Sequence, residues 1–106
     1  MTAIPAHEQK LVVIVPKGHP LAERKAVSLE ETLPYPQIYF AKGSGIRNVV
    51  DRLFEDIEAK PQISCENEED QVIAGLVAGG FGIAVVPYMD MLMKLDISIL
   101  EIEYPP

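Results

Sequence analysis

Tryptophan is absent, cysteine occurs once and histidine twice, and acidic residues outnumber basic ones sixteen to nine. Each shortage excludes something. One thiol, Cys65, closes no internal disulfide, which fits a chain kept in a reducing cytoplasm. Two scattered histidines and that lone cysteine offer none of the close ligand pairs that zinc sites use, so no metal is expected. A net charge of −7 opposes phosphate neutralisation by Lys and Arg, and so argues against a surface that grips DNA or RNA directly. The same sign disfavours an anionic membrane face. No apolar run approaches the roughly 20 residues that cross a bilayer. The first residues lack the charged-then-apolar pattern of a secretory leader.

What is present is an ordinary globular balance: 106 residues, 48% hydrophobic and 24% charged, enough for one modest core. Short β-branched runs alternate with helical patterns. "QKLVVIVP" (9–16), "QIYF" (37–40), "QISCENE" (62–68), "FGIAVVP" (81–87) and "ISILEI" (97–102) read as five strands. Residues 17–27 read as a polar loop broken by Gly18 and Pro20. "SLEETL" (28–33) carries a capping-box pattern, Ser28 with Glu31 three residues on, and Pro34 and Pro36 limit that helix to a turn or two.

The strongest helical signal follows a Gly-Ser-Gly turn. Ile46, Val49, Val50, Leu53, Phe54 and Ile57 share one face, and Arg47, Asn48, Asp51, Arg52, Glu55 and Asp56 occupy the other. This predicts a helix over 45–58 with Ser44 as its cap. "EDQVIAGLVAGG" (69–80) is a further helix, acidic in its first turn and stopped by Gly79 and Gly80. Its body is apolar and small on nearly every side, which predicts that it is well buried. "YMDMLMKL" (88–95) reads as a short helix. The alternation predicts an α/β fold, a three-layer sandwich around a mostly parallel five-stranded sheet.

Catalytic patterns fail one by one. A nucleophile elbow needs glycine two positions either side of the serine, and around Ser44 those positions hold Lys42 and Ile46. Neither His7 nor His19 is placed by the sequence as its base. "AKGSGIR" lacks the Walker spacing, and "GGFG" (79–82) follows a helix and opens a strand, the reverse of the dinucleotide-binding order. "ENEED" (66–70) lacks the regular spacing and central glycine of a calcium loop. No enzyme and no cofactor is expected. A ligand site at the strand ends remains open, with Ser44 as a helix cap, a binding hydroxyl, or both.

"LVVIVPKGHPLA" (11–22), "IYFAKGSGIRNVVDRLF" (38–54), "EDQVIAGLVAGGFGIAVVP" (69–87) and "ISILEI" (97–102) resemble the LysR-type transcriptional regulators. The likeness is to the second subdomain of their C-terminal effector-binding region, over about residues 8–102. It implies one half of a type II periplasmic-binding-protein-like fold, in which two α/β subdomains enclose a small effector. On this reading residues 1–106 are a single effector-binding subdomain, an excised fragment lacking the first subdomain and the winged helix-turn-helix that binds DNA. The implied partner is a small effector, of carboxylate or amino acid type. The parent is implied to be a homo-dimer or homo-tetramer, with residues 47–66 near the interface. Carried over residue by residue, the cleft wall is Phe40, Ala41, Lys42, Gly43, Ser44 and Gly45, with Glu66, Glu68 and Glu69 and the segment after Val86. Lys42 and the N–H groups around Ser44 suit an anionic effector. The rival implication is half of a solute-binding protein of a transport system.

Overall fold

The computed structural model describes residues 10–103. In chain order the elements are β1 (Leu11–Pro16), β2 (Ala26–Val27), α1 (Leu29–Thr32), β3 (Pro36–Phe40), α2 (Gly45–Asp56), β4 (Gln62–Asn67), α3 (Asp70–Ala78), β5 (Ala84–Pro87), a 3₁₀ turn (Asp90–Lys94) and β6 (Ile97–Ile102). The five expected strands and the expected helices are all found, apart from Gln9, which lies outside the described residues. The sixth strand, β2, falls within the expected loop. Two residues carry no periodicity, and they join the ladder by backbone bonds alone: Glu101 N–H donates to Lys25 O and Glu103 N–H to Val27 O, both at 2.9 Å.

The strands form a four-stranded sheet in the order β2-β6-β1-β5 and a pair β3-β4. A narrow seam joins them. Ile38 N–H donates to Ile83 O at 2.8 Å and Ile83 N–H to Pro36 O at 3.1 Å, around a parallel bridge between Gln37 and Ile83. Five of the six strands therefore point one way, and β1 alone is reversed, antiparallel to both β5 and β6. The sheet is mixed rather than strictly parallel, because an apolar run such as "LVVIV" reports burial but not direction.

Alternate residues of β1 enter opposite cores, as strand geometry requires. Val13 and Val15 pack with Leu29 of α1 and with Val50 and Phe54 of α2. Val12 and Ile14 pack with Ile73, Ala74 and Val77 of α3 and with Leu92 of the 3₁₀ turn. Two buried layers about one sheet make the expected three-layer sandwich. In the α1 box, Ser28 N–H donates to Glu31 Oε1 at 2.9 Å.

Both long helices depart in detail from their patterns. In α2 the buried line is Arg47, Val50 and Phe54, while Val49 is 47% exposed. Arg47, assigned by pattern to the solvent face, turns inward because its planar head finds acceptors there. In α3 only Ile73, Ala74 and Val77 are buried and Val72 is 40% exposed, since the helix covers one sheet face and carries nothing over its back among the described residues. Its C-terminus is a Schellman turn: Phe81 N–H reaches Leu76 O and Gly80 N–H reaches Val77 O, with Gly80 at φ +88°.

Candidate functional site

The ends of three parallel strands and the starts of two helices converge on one side of the sheet. β3 ends at Phe40, β4 at Asn67 and β5 at Pro87, while α2 opens after Ser44 and α3 after Glu69. Open α/β sheets place ligands outside such strand ends. Here a depression of about 430 Å³ is lined by Phe40, Ser44, Ile46, Glu68, Glu69, Asp70, Gln71 and Pro87. A second of about 340 Å³ is lined by Lys42, Gly43, Ser44 and Glu68, and a third of about 520 Å³ by Ala41, Glu66, Asn67, Glu68, Glu69 and Val72. Ser44 and Glu68 are shared between the first two, which makes them one trough with two lobes.

Of the nine residues named from sequence, eight line these depressions. Gly45 does not; it is exposed and begins α2. Pro87 matches the expected segment after Val86. In the third depression Asn67 and Val72 were not among the residues named, and in the first Ile46, Asp70 and Gln71 were not. Asn67 ends β4 and the others lie within the first turn of a helix, so a rule that takes strand ends together with the following helical turn would have found them.

The wall is built by a tight turn. Ser44 N–H donates to Ala41 O at 3.2 Å, and Gly43 sits at φ +94° as the third residue of that turn, a position that demands glycine in a type II geometry. Ala41 N–H is tied across to Asn67 O at 2.9 Å. On the neighbouring strand, Asn67 Oδ1 accepts from Glu69 N–H at 2.9 Å and shapes the entry to α3.

Ser44 does stand at the N-cap position, with extended backbone (φ −77°, ψ 137°), but its hydroxyl makes no capping bond. This corrects the expected role. The side chain lines both lobes of the trough instead, and among the described residues no side chain caps the first-turn N–H groups of α2. The trough thus offers donors at Lys42 and the α2 N-terminus, facing acceptors at Glu68, Glu69 and Asp70.

Glu66 differs from the other acidic residues, because its carboxylate is already engaged. Arg47 Nη1 donates to Glu66 Oε2 at 3.3 Å and to Phe40 O at 2.8 Å, while Arg47 Nε donates to both Asp51 oxygens at 3.1 Å. Tyr39 closes the group: its hydroxyl donates to Asp51 Oδ1 at 2.8 Å, and its ring lies 4.7 Å beneath the guanidinium carbon. Burial, reinforced by the bond to Asp51, pushes the Tyr39 phenol pKa well above its usual range. Burial pulls the Arg47 pKa down, but Asp51 and Glu66 outweigh it and the net direction is up. Arg47 is therefore a fixed cation.

This architecture is that of an α/β domain with a trough at its strand ends, and the family follows from comparison with known proteins. Residues 1–97 match the family model described as LysR substrate binding domain, and the chain belongs to that family. It is 37% identical over 97 residues to the uncharacterized HTH-type transcriptional regulator YybE of Bacillus subtilis, covering 92% of this chain and 33% of that protein. Among solved structures, the effector binding domain of QuiR in complex with shikimate superposes with a TM-score of 0.89 at 38% identity, covering 92% of this chain and 47% of that one. The Synechocystis PCC6803 CcmR regulatory domain in complex with 2-PG gives a TM-score of 0.77 at 26% identity, covering 96% and 55%. The chain thus spans about a third of the curated relative and about half of these regulatory domains.

Proposed function

We propose that this chain forms one wall of the effector cleft of a LysR-type transcriptional regulator. The observation that carries the reading is the two-lobed trough, where two helix N-termini and three strand ends meet in a chain of this family. The opposite wall comes from the rest of the parent, in keeping with the share of the QuiR and CcmR domains that this chain spans. Effector bound between the walls favours a closed arrangement. That population shift is passed to DNA-binding domains which lie elsewhere in the parent. The protein works in the cytoplasm, where such regulators meet DNA, and it binds rather than transforms its ligand.

The effector is a small carboxylate that also carries hydroxyl or ammonium groups. Lys42, the Ser44 hydroxyl and the uncapped N–H groups of α2 receive the carboxylate. Glu68, Glu69 and Asp70 accept hydrogen bonds from the donors at its other end. The solved relative that holds shikimate, a hydroxylated carboxylate, supports this chemistry. The parent pairs through residues 47–66, a reading supported by β4, whose residues 62–66 are all exposed at the sheet edge with Ile63 40% exposed.

The test is a calorimetric titration of the parent regulator with hydroxylated carboxylates and amino acids, first among them shikimate. For any compound that binds, Lys42→Ala is expected to weaken affinity about tenfold, the size of a lost charge-assisted hydrogen bond. Unchanged affinity in both Lys42→Ala and Ser44→Ala would move the site away from this trough.

A further inference from the structure

Arg47 is 9% exposed, yet a helix surface of this amphipathic pattern gives no reason for a cation to turn inward. Its acceptors explain the choice. They lie on three different elements: the carbonyl of Phe40 at the end of β3, Asp51 one turn along α2, and Glu66 on β4. Tyr39 fills the space under the guanidinium and locks Asp51 with its hydroxyl. Only a planar, forked cation bonds Asp51 through Nε while bonding a carbonyl through Nη1; an ammonium is a point donor.

The Phe40 carbonyl is the last peptide oxygen before the turn 41–44. Outside the regular helix and strand bonds, that turn has three backbone anchors among the described residues: Ala41 N–H to Asn67 O, Ser44 N–H to Ala41 O within the turn itself, and Arg47 N–H to Ser44 O where the turn enters α2. Lys42 and Gly43 are exposed. Exposed turns with few bonds belong to the low-stability end of a fold, and what holds their base decides how far they open.

We propose that Arg47 is a positioning residue for the trough: by clamping the Phe40 carbonyl between Asp51 and Glu66, it holds the 41–44 turn that presents Lys42 and Ser44. The proposal rests on the trough being the effector site as far as binding is concerned, but the clamp itself is a property of the free chain. Through Glu66 the same guanidinium anchors the outer strand β4, so the turn and the sheet edge share one tie.

The test needs no effector, so it fails or succeeds independently of the site reading. Amide hydrogen exchange is followed by NMR at Ala41 and Ser44, whose N–H groups are both bonded, and at Val13 and Val15 in the central strand β1. Arg47→Lys keeps the charge and the aliphatic stem but cannot make the forked contacts. It is expected to speed exchange at Ala41 and Ser44 by about tenfold or more while Val13 and Val15 stay within about twofold. Unchanged exchange at Ala41 and Ser44, or equal acceleration at all four amides, overturns the proposal. A second measurement uses the unaltered chain: the Arg47 Nε–H signal is expected to persist at neutral pH, protected from solvent, and rapid exchange there overturns the clamp as well.

Discussion

Replacing Gly82 with alanine strikes the narrowest part of the fold. An added Cβ would lie 2.8 Å from the Pro36 carbonyl oxygen and 3.3 Å from Ile38 Cδ1. The first distance is too short to persist, and the atom on the far side is backbone, not a pliable side chain. That oxygen is also the acceptor for Ile83 N–H at 3.1 Å, one of the two backbone bonds that join the β3-β4 pair to the larger sheet among the described residues. Relief must therefore come at the seam. Overpacking of this kind costs about 1–3 kcal/mol, and a weakened seam bond adds about 0.5–1.5 kcal/mol. A loss of about 2–4 kcal/mol is large beside the 5–15 kcal/mol or so that stabilises a typical domain. Urea unfolding followed by circular dichroism should show the midpoint of Gly82→Ala lowered by roughly 1–2 M. Gly75→Ala is the internal control. It lies on the exposed face of α3 with nothing within 4 Å of the added atom, so it should be neutral or stabilising by up to about 1 kcal/mol. Equal midpoints for the two variants would refute the close-approach argument.

Burial lowers the His19 pKa from its usual 6.5, and Nδ1 accepts the Leu21 N–H at 3.1 Å. The unfolded chain then takes up the proton first as pH falls. His19's contribution to stability is complete above about pH 6.5, declines as pH drops toward the folded-state pKa, and is flat below it. His19→Asn, which retains an acceptor, should lose that segment of a urea-midpoint profile, and an identical slope in both proteins would contradict the assignment. At the sheet edge, the parent regulator carrying Ile63→Lys should sediment as a lighter species than the wild type at equal concentration. Identical sedimentation at every loading would take β4 out of the interface.

The elements most legible in the sequence were those whose signal is a period. The stripe from Ile46 to Ile57 located α2 within two residues of its observed end, and five strands were found from apolar runs bounded by glycine, proline and polar residues. Direction was hidden. Nothing in "LVVIV" distinguishes a strand parallel to its neighbours from one reversed, and β1 is the reversed one. Arg47 was hidden as well, because counting it as polar assumes that a guanidinium seeks water, whereas here an aromatic ring and three acceptors receive it. Its capture of Glu66 could not be read from residues nineteen positions apart. The role of Ser44 was half legible: the N-cap position is right, but a hydroxyl's rotation is set by local packing rather than by sequence spacing.

The central claim is that an effector sits between the 41–44 turn and the start of α3. The most direct measurement is a chemical-shift map of the ¹⁵N-labelled parent regulator titrated with shikimate. The account predicts that amide signals of residues 42–46 and 68–71 move together along one saturating curve and that Lys42→Ala flattens it. Saturable shifts confined to another surface, with those residues still, would contradict it.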